Sequence, residues 1–194
     1  MEPKVTNEHE QKIMELYQEI SAKKAEFYKL CKQAPRFEVP DYELTDTDGA
    51  ALHLSDLFGA KEELILVHNM GRKCPYCTMW ADGFNGVYKH LESRAAFVVS
   101  TPDEPAVIKA FAASRGWNFR MVSTRPSSLK KDLGFELEDG SFYPGVSTFI
   151  KDDKGVIRHV AKSYFGPGDD FCAVWYLFDL LAKEQNEWEP KFSY

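Results

Sequence analysis

The chain has 194 residues, 44% hydrophobic and 28% charged, a balance that fits one well-cored domain with an appendage and argues against a disordered or membrane-spanning chain. Its 24 Lys and Arg against 30 Asp and Glu leave a net charge of −6 with no dense basic run, so no nucleic-acid surface is expected. The stretch "MEPKVTNEHEQKIMELYQ" lacks the apolar core of a signal peptide, and no apolar run approaches the ~20 residues of a membrane span; a cytoplasmic protein is expected.

Residues 7 to 33 read as one long helix, with Ile13, Leu16, Tyr17, Ile20, Phe27, Leu30 and Cys31 at helical spacing, Asn7 as cap and Pro35 as stop. Such a stripe serves either packing on its own domain or a partner, including a second copy. "FEVPDYEL" and "AALHL" flank the turn "TDTDG" and predict a hairpin of two strands. "SDLFG" predicts a short helical turn closed by Gly59. "ELILVHN" is a continuous apolar run with β-branched members, the pattern of a strand covered on both faces. A helix is predicted over 75 to 93, a buried strand at "AAFVVST", and a helix over 103 to 115 ended by Gly116. "GVSTFIK" and "GVIRHVAK", joined by "DDK", predict a second hairpin, and a last helix is expected over about 172 to 183. The order describes an α/β domain over 36–194, a central sheet with helices on both faces, preceded by a helical segment over 1–35.

The sequence "GRKCPYCTMWADGF", residues 71 to 84, falls at the carboxyl end of the first buried strand, where open α/β sheets place their sites. Cys74 stands at the expected N-cap and Pro75 at the first helical position, where its missing N–H costs nothing. The free N–H groups, the positive helix end, and Arg72 and Lys73 all favour a thiolate at Cys74. Cys77, three residues on and on the same face, can close a disulfide. Cytosolic thiols stay reduced unless catalytic or metal-bound. A lone C-x-x-C is also half a zinc site, yet no second pair accompanies it; His68, His90, His159 and Cys172 are scattered. Redox pair, metal clamp and inert residues are the three readings, with redox favoured.

Strand, C-x-x-C, helix resembles the thioredoxin superfamily, and "CPYC" is similar to the active-site tetrapeptide of glutaredoxins. "LSDLFGAKEELILVHNMG" is similar to the entry of the peroxiredoxin-type branch. More closely, "DGAALHLSDLFG", "LVHNMGRKCPYCTMWADGFNG", "GVSTF" and "SYFGPGDDF" resemble the bacterial family of domain of unknown function 899. The resemblance implies a thioredoxin-like fold.

Three positions depart from these relatives. Peroxiredoxins carry P-x-x-x-[TS]-x-x-C; counting back from Cys77 meets Met70 and Cys74, and from Cys74 meets Val67 and Gly71. Thioredoxins face their cysteines with a cis-proline, and "GVSTF" places Ser147 there, so a trans Val146–Ser147 peptide is expected. Ser147 would then either bond the Cys74 thiolate, leave room for a metal, or be a plain strand serine. Thioredoxins also keep a buried carboxylate six residues before the first cysteine, where this chain has His68. That histidine is either a proton shuttle for Cys77 or a core side chain.

Tyr76 and Trp80 are expected to wall the cysteines, Asp82 to lie on a solvated helix face rather than act as an acid behind them, and "FGPGDDF" to border the pocket. Cys172 reads as a buried small residue rather than a distant resolving thiol. The expected work is thiol–disulfide exchange on a protein or small-molecule disulfide: Cys74 attacks and Cys77 resolves. Electrons come from an external reducing system, and no cofactor or metal is required. The alternatives are a thiol peroxidase acting through a Cys74 sulfenic acid, and a non-enzymatic module that binds a metal or cluster between two chains or serves as a scaffold.

Overall fold

The computed structural model describes residues 6–183 and 188–194, and the chain divides after Pro35 into two compact units. The first is a single helix, α1 (Glu8–Gln33). Asn7 caps it, its side-chain oxygen accepting from the Glu10 N–H at 2.9 Å. None of its residues is buried, and Ile13, Leu16, Tyr17, Ile20, Phe27 and Leu30 are all exposed.

The second unit is built on one eight-stranded sheet. Its strands are β1 (Phe37–Glu38), β2 (Glu43–Asp46), β3 (Ala51–His53), β4 (Glu63–His68), β5 (Ala96–Thr101), β6 (Arg120–Ser123), β7 (Gly145–Lys151) and β8 (Ile157–Tyr164). They lie in the order β1-β8-β7-β4-β5-β6-β2-β3. β4 and β6 run parallel to β5, and the other pairs are antiparallel. A flat sheet cannot have this order. The chain from Glu38 to Glu43 reaches at most ~18 Å, whereas the strand spacings between β1 and β2 add to ~29 Å. The sheet therefore curls, bringing its two edges toward each other.

Among the described residues four α-helices follow the strands: α2 (Pro75–Arg94), α3 (Pro105–Arg115), α4 (Leu129–Asp132) and α5 (Val174–Asp179). Side-chain alternation divides the core in two. Leu64 and Leu66 of β4, Val98 of β5 and Val122 of β6 join Leu54, Phe58, Leu129, Phe135 and Phe149 in one cluster. Val67, Phe97, Val99 and Met121 join Trp80, Ala81 and Tyr88 of α2, Ile108 of α3 and Trp175 of α5 in the other. The fold is thus a central mixed sheet covered on both faces, as the resemblance implied.

Most predicted elements are present, with four differences. α4 was not expected, a single turn being too short to show a helical period. "FEVPDYEL" is two strands rather than one, split around Pro40, and its first piece pairs with β8 at the far edge. β6 was not expected; "RMVS" is too short to show a period, and its burial comes from lying beside β5. The last helix covers only Val174–Asp179, shorter than the apolar stripe implied. Among the described residues no helix is long and apolar enough to cross a membrane.

Candidate active site

β4 is hydrogen-bonded along both edges, to β5 and β7, and ends at His68. The chain then turns through Asn69, Met70 and Gly71 into α2. Asn69 Oδ1 accepts from the Gly71 N–H at 2.7 Å, and Asp103 Oδ2 accepts from the Arg72 N–H at 2.6 Å. Gly71 has φ +116°, and a Cβ there would sit 3.3 Å from both Asp103 oxygens, so this turn requires glycine.

Cys74 is the N-cap of α2 and Pro75 opens the helix. Cys74 Sγ accepts the Cys77 N–H at 3.0 Å, taking the place a Ser or Asp oxygen fills in ordinary caps. The Cys74 thiol is lowered from its ordinary value, first by a hydrogen bond from the Cys77 side chain and then by the backbone N–H groups of Cys77 and Tyr76, against the opposing effect of burial. Cys77 is only 3% exposed, and its thiol is strongly raised by the bond to Cys74 and by burial. The two thiols are therefore split into an acidic outer one and a protonated inner one. All four cysteines are free, and Cys172 is buried. Arg72 and Lys73 are exposed, and the helix terminus supplies the groups that lower Cys74.

His68 and Ser147 meet. Both are fully buried, and His68 Nε2 lies 2.9 Å from Ser147 Oγ. His68 stacks on Phe135 with ring centroids 3.8 Å apart, and burial holds its imidazole well below the ordinary histidine range, so it is neutral at pH 7. No cis peptide occurs among the described residues, Val146–Ser147 included. His68, Cys77, Trp80, Pro144 and Phe165 line a small cleft, and His68 Nδ1 and Trp80 Nε1 have no hydrogen-bond partner among the described residues.

Tyr76 and Trp80 belong to an aromatic wall. Tyr76 lies 6.2 Å from Trp80 and 6.2 Å from Trp175, and Trp80 lies 5.3 Å from Phe165 of the "FGPGDDF" loop. Asp82 is only half-exposed on its helix face. It pairs with Arg115 and accepts from Trp117 Nε1 at 2.8 Å, tying α2 to α3.

Lys130 was not expected here. It is 1% exposed, in α4, and its Nζ donates to the Asn69 carbonyl at 3.1 Å. In "SSLKKDLGF" nothing distinguishes it from Lys131, which is exposed.

Residues 6–193 match the model of a bacterial protein family of unknown function, DUF899. Peroxiredoxin Q of the poplar Populus jackii chloroplast is 30% identical over 76% of this chain and 67% of its own length. The wheat (Triticum aestivum) chloroplast peroxiredoxin Q is 28% identical over 66% of this chain and 58% of its own. Among solved structures, peroxidoxin BcpB of Mycobacterium tuberculosis superposes with a TM-score of 0.53 at 23% identity, covering 66% of this chain and 83% of that one. Reduced Prx3 of Vibrio vulnificus, solved with hydrogen peroxide, gives 0.54 at 17% identity, covering 69% and 88%. Family match, relatives and fold agree: the chain belongs to the bacterial DUF899 family, within the thioredoxin-like, peroxiredoxin-type superfamily.

Proposed function

We propose that this protein is a thiol-based redox enzyme in which Cys74 reduces a peroxide and Cys77 resolves the product. The observation that carries this is the Cys77 N–H donating to Cys74 Sγ at 3.0 Å on the first turn of α2, beside a buried second thiol. The Cys74 thiolate attacks one peroxide oxygen, the O–O bond breaks, and the leaving oxygen takes a proton from solvent and departs as water or an alcohol, leaving a sulfenic acid. Cys77 sulfur then displaces water from it and forms the Cys74–Cys77 disulfide. An external dithiol returns two electrons by exchange. Relatives named peroxiredoxins favour peroxide as the oxidant over a disulfide.

Reduced protein mixed with one equivalent of hydrogen peroxide or an alkyl hydroperoxide is expected to lose two thiols and gain the Cys74–Cys77 disulfide, far faster than free cysteine oxidises. Oxidation no faster than that of free cysteine would sink the peroxidase reading. The i, i+3 spacing supports a second reading, direct exchange with a disulfide substrate, because Cys77 resolves a mixed disulfide in the same position. Rapid oxidation by a disulfide with none by peroxide would decide for it. Among the described residues no group of three or more His, Cys, Asp or Glu is gathered to hold a metal ion.

We infer further that α1 pairs with α1 of a second copy, antiparallel. Glu8, Glu10, Glu15 and Glu19 stand against Lys12 in its first half, and Lys23, Lys24, Lys29 and Lys32 against Glu26 in its second. Antiparallel pairing sets each acidic half beside a basic one and covers the Ile13, Leu16, Ile20, Phe27 and Leu30 stripe. The two Cys31 thiols would then lie about 30 Å apart, with the two Ile20 positions near the crossing. Ile20→Cys in a Cys31→Ser chain should oxidise to a covalent dimer, and the unaltered chain should not. A monomer at micromolar concentration, or crosslinking through Cys31, overturns this arrangement.

A further inference from the structure

Lys130 has no part in the steps above, yet its position is costly. A lysine with its ammonium wholly inside the protein is rare unless paired or in use. No carboxylate contacts Nζ within the described residues; its hydrogen-bond partner is the Asn69 carbonyl at 3.1 Å, and the Phe142 ring lies 5.9 Å away. The next atom along the chain matters most. The Met70 N–H, on the same peptide unit as the Asn69 carbonyl, donates to Cys77 Sγ at 3.5 Å. One peptide group is therefore held between the ammonium and the inner sulfur, its carbonyl toward the cation and its N–H toward the thiol. A cation on the carbonyl polarises the amide and strengthens its N–H as a donor.

We propose that Lys130 is a positioning residue for the resolving step, acting through the Asn69–Met70 peptide to stabilise negative charge on Cys77 sulfur as it attacks the disulfide or sulfenic acid on Cys74. In the disulfide case the Cys77 S–H proton passes to solvent and the Cys74–Cys77 bond forms. The bond from Cys74 to the outgoing sulfur breaks, and that sulfur departs as thiolate with the electron pair. Cys77 is the thiol that needs this help, because burial and the bond to Cys74 both oppose its ionisation. The proposal rests on the reading of Cys74 as nucleophile and Cys77 as resolver.

Three titratable groups face Lys130: Cys77 from α2, His68 from β4, and Glu136 from the segment after α4. Burial pushes the ammonium down to about 7, with Cys77 and Glu136 opposing. The charge is thus complete below that pH and lost as pH rises through it. Cys77 ionisation runs the other way, so the benefit of Lys130 is largest on the acid side and fades in alkali.

The two steps separate with Ellman's reagent, in a chain carrying Cys31→Ser and Cys172→Ala. Cys74 attack releases one thionitrobenzoate and leaves the mixed disulfide; Cys77 attack releases a second. Lys130→Met should leave the first phase within about twofold and slow the second by about tenfold or more near pH 6.5, the change of one pKa unit. That gap should close by about pH 9, and Lys130→Arg should recover most of the second phase. An unchanged second phase overturns the proposal, as does equal slowing of both phases at every pH, which marks a merely structural lysine. A parent that releases only one equivalent refutes the nucleophile–resolver pair itself, and this role with it. If Lys130→Met does not fold, the parent decides: a second phase whose logarithm climbs with unit slope straight through pH 7 to 9 overturns the proposal.

Discussion

Cys74→Ser is expected to abolish turnover of peroxide and disulfide alike, by on the order of 10³-fold or more. A serine hydroxyl is nucleophilic only when a base takes its proton, and the contacts of Cys74 sulfur, the Cys77 thiol and the N–H groups of Cys77 and Tyr76, donate to it rather than accept. His68 Nε2, the nearest candidate base in sequence, is committed to Ser147. Cys77→Ser should behave differently. It leaves the first attack intact and halts the protein after one event, with the adduct on Cys74 visible by intact mass. It also keeps a hydroxyl in place of the thiol that does most to lower Cys74. Cys77→Ala removes that donor, so the Cys74 pKa, read from thiolate absorbance, should rise more in Cys77→Ala than in Cys77→Ser. Equal values in both would show that the side-chain bond is unimportant and that the backbone N–H groups act alone.

Gly145→Ala should be the most damaging small substitution in the sheet. Gly145 begins β7, opposite His68 on one side and Tyr164 on the other. A Cβ there would lie 2.4 Å from the Ser163 carbonyl oxygen and 2.5 Å from Phe135 Cε1. The first neighbour is backbone held in the β7–β8 ladder and cannot yield without breaking register. The second is the ring stacked on His68, so any relief is transmitted to the site. The cost should reach about 3 kcal/mol, the upper part of the overpacking range. For a chain of this size that corresponds to a fall of about 6–12 °C in the thermal midpoint. A midpoint unmoved within error would mean that β7 and β8 slide apart freely.

The cysteine pair was legible because its signals are local. C-x-x-C, the proline at the first helical position and the apolar strand before them all lie within fifteen residues, and capping rules connect them. The His68–Ser147 contact was half legible: each residue stood out as a departure from the relatives, but their contact comes from the β4–β7 register, which pairs His68 with Gly145 and Leu66 with Ser147. Lys130 was invisible. It sits in a four-residue helix beside a second lysine, and which of the two turns inward is decided by packing against Asn69, far away in sequence. The position of β1 was equally hidden, since two residues carry no pattern and its partner lies near the other end of the chain. Asp82 misled for a related reason: helical spacing places it on α2, but the arginine and tryptophan that cover it come from α3 and its following turn.

The curl of the sheet has a consequence for how the protein comes into being. β1 and β2 leave the ribosome before the other strands of this sheet, yet their partners β8 and β6 come much later; Arg158 meets Glu38 across 120 residues. Neither edge can close during early synthesis, and folding must wait for these distant pairings. Cys74 and Cys77 emerge well before Lys130 and Phe165, which come to lie around the inner thiol. In the nascent chain both sulfurs are equally open to oxidants. They become unlike once α2 has formed and been covered, the outer thiol lowered by its helix-end contacts and the inner one raised by burial and its bond to Cys74.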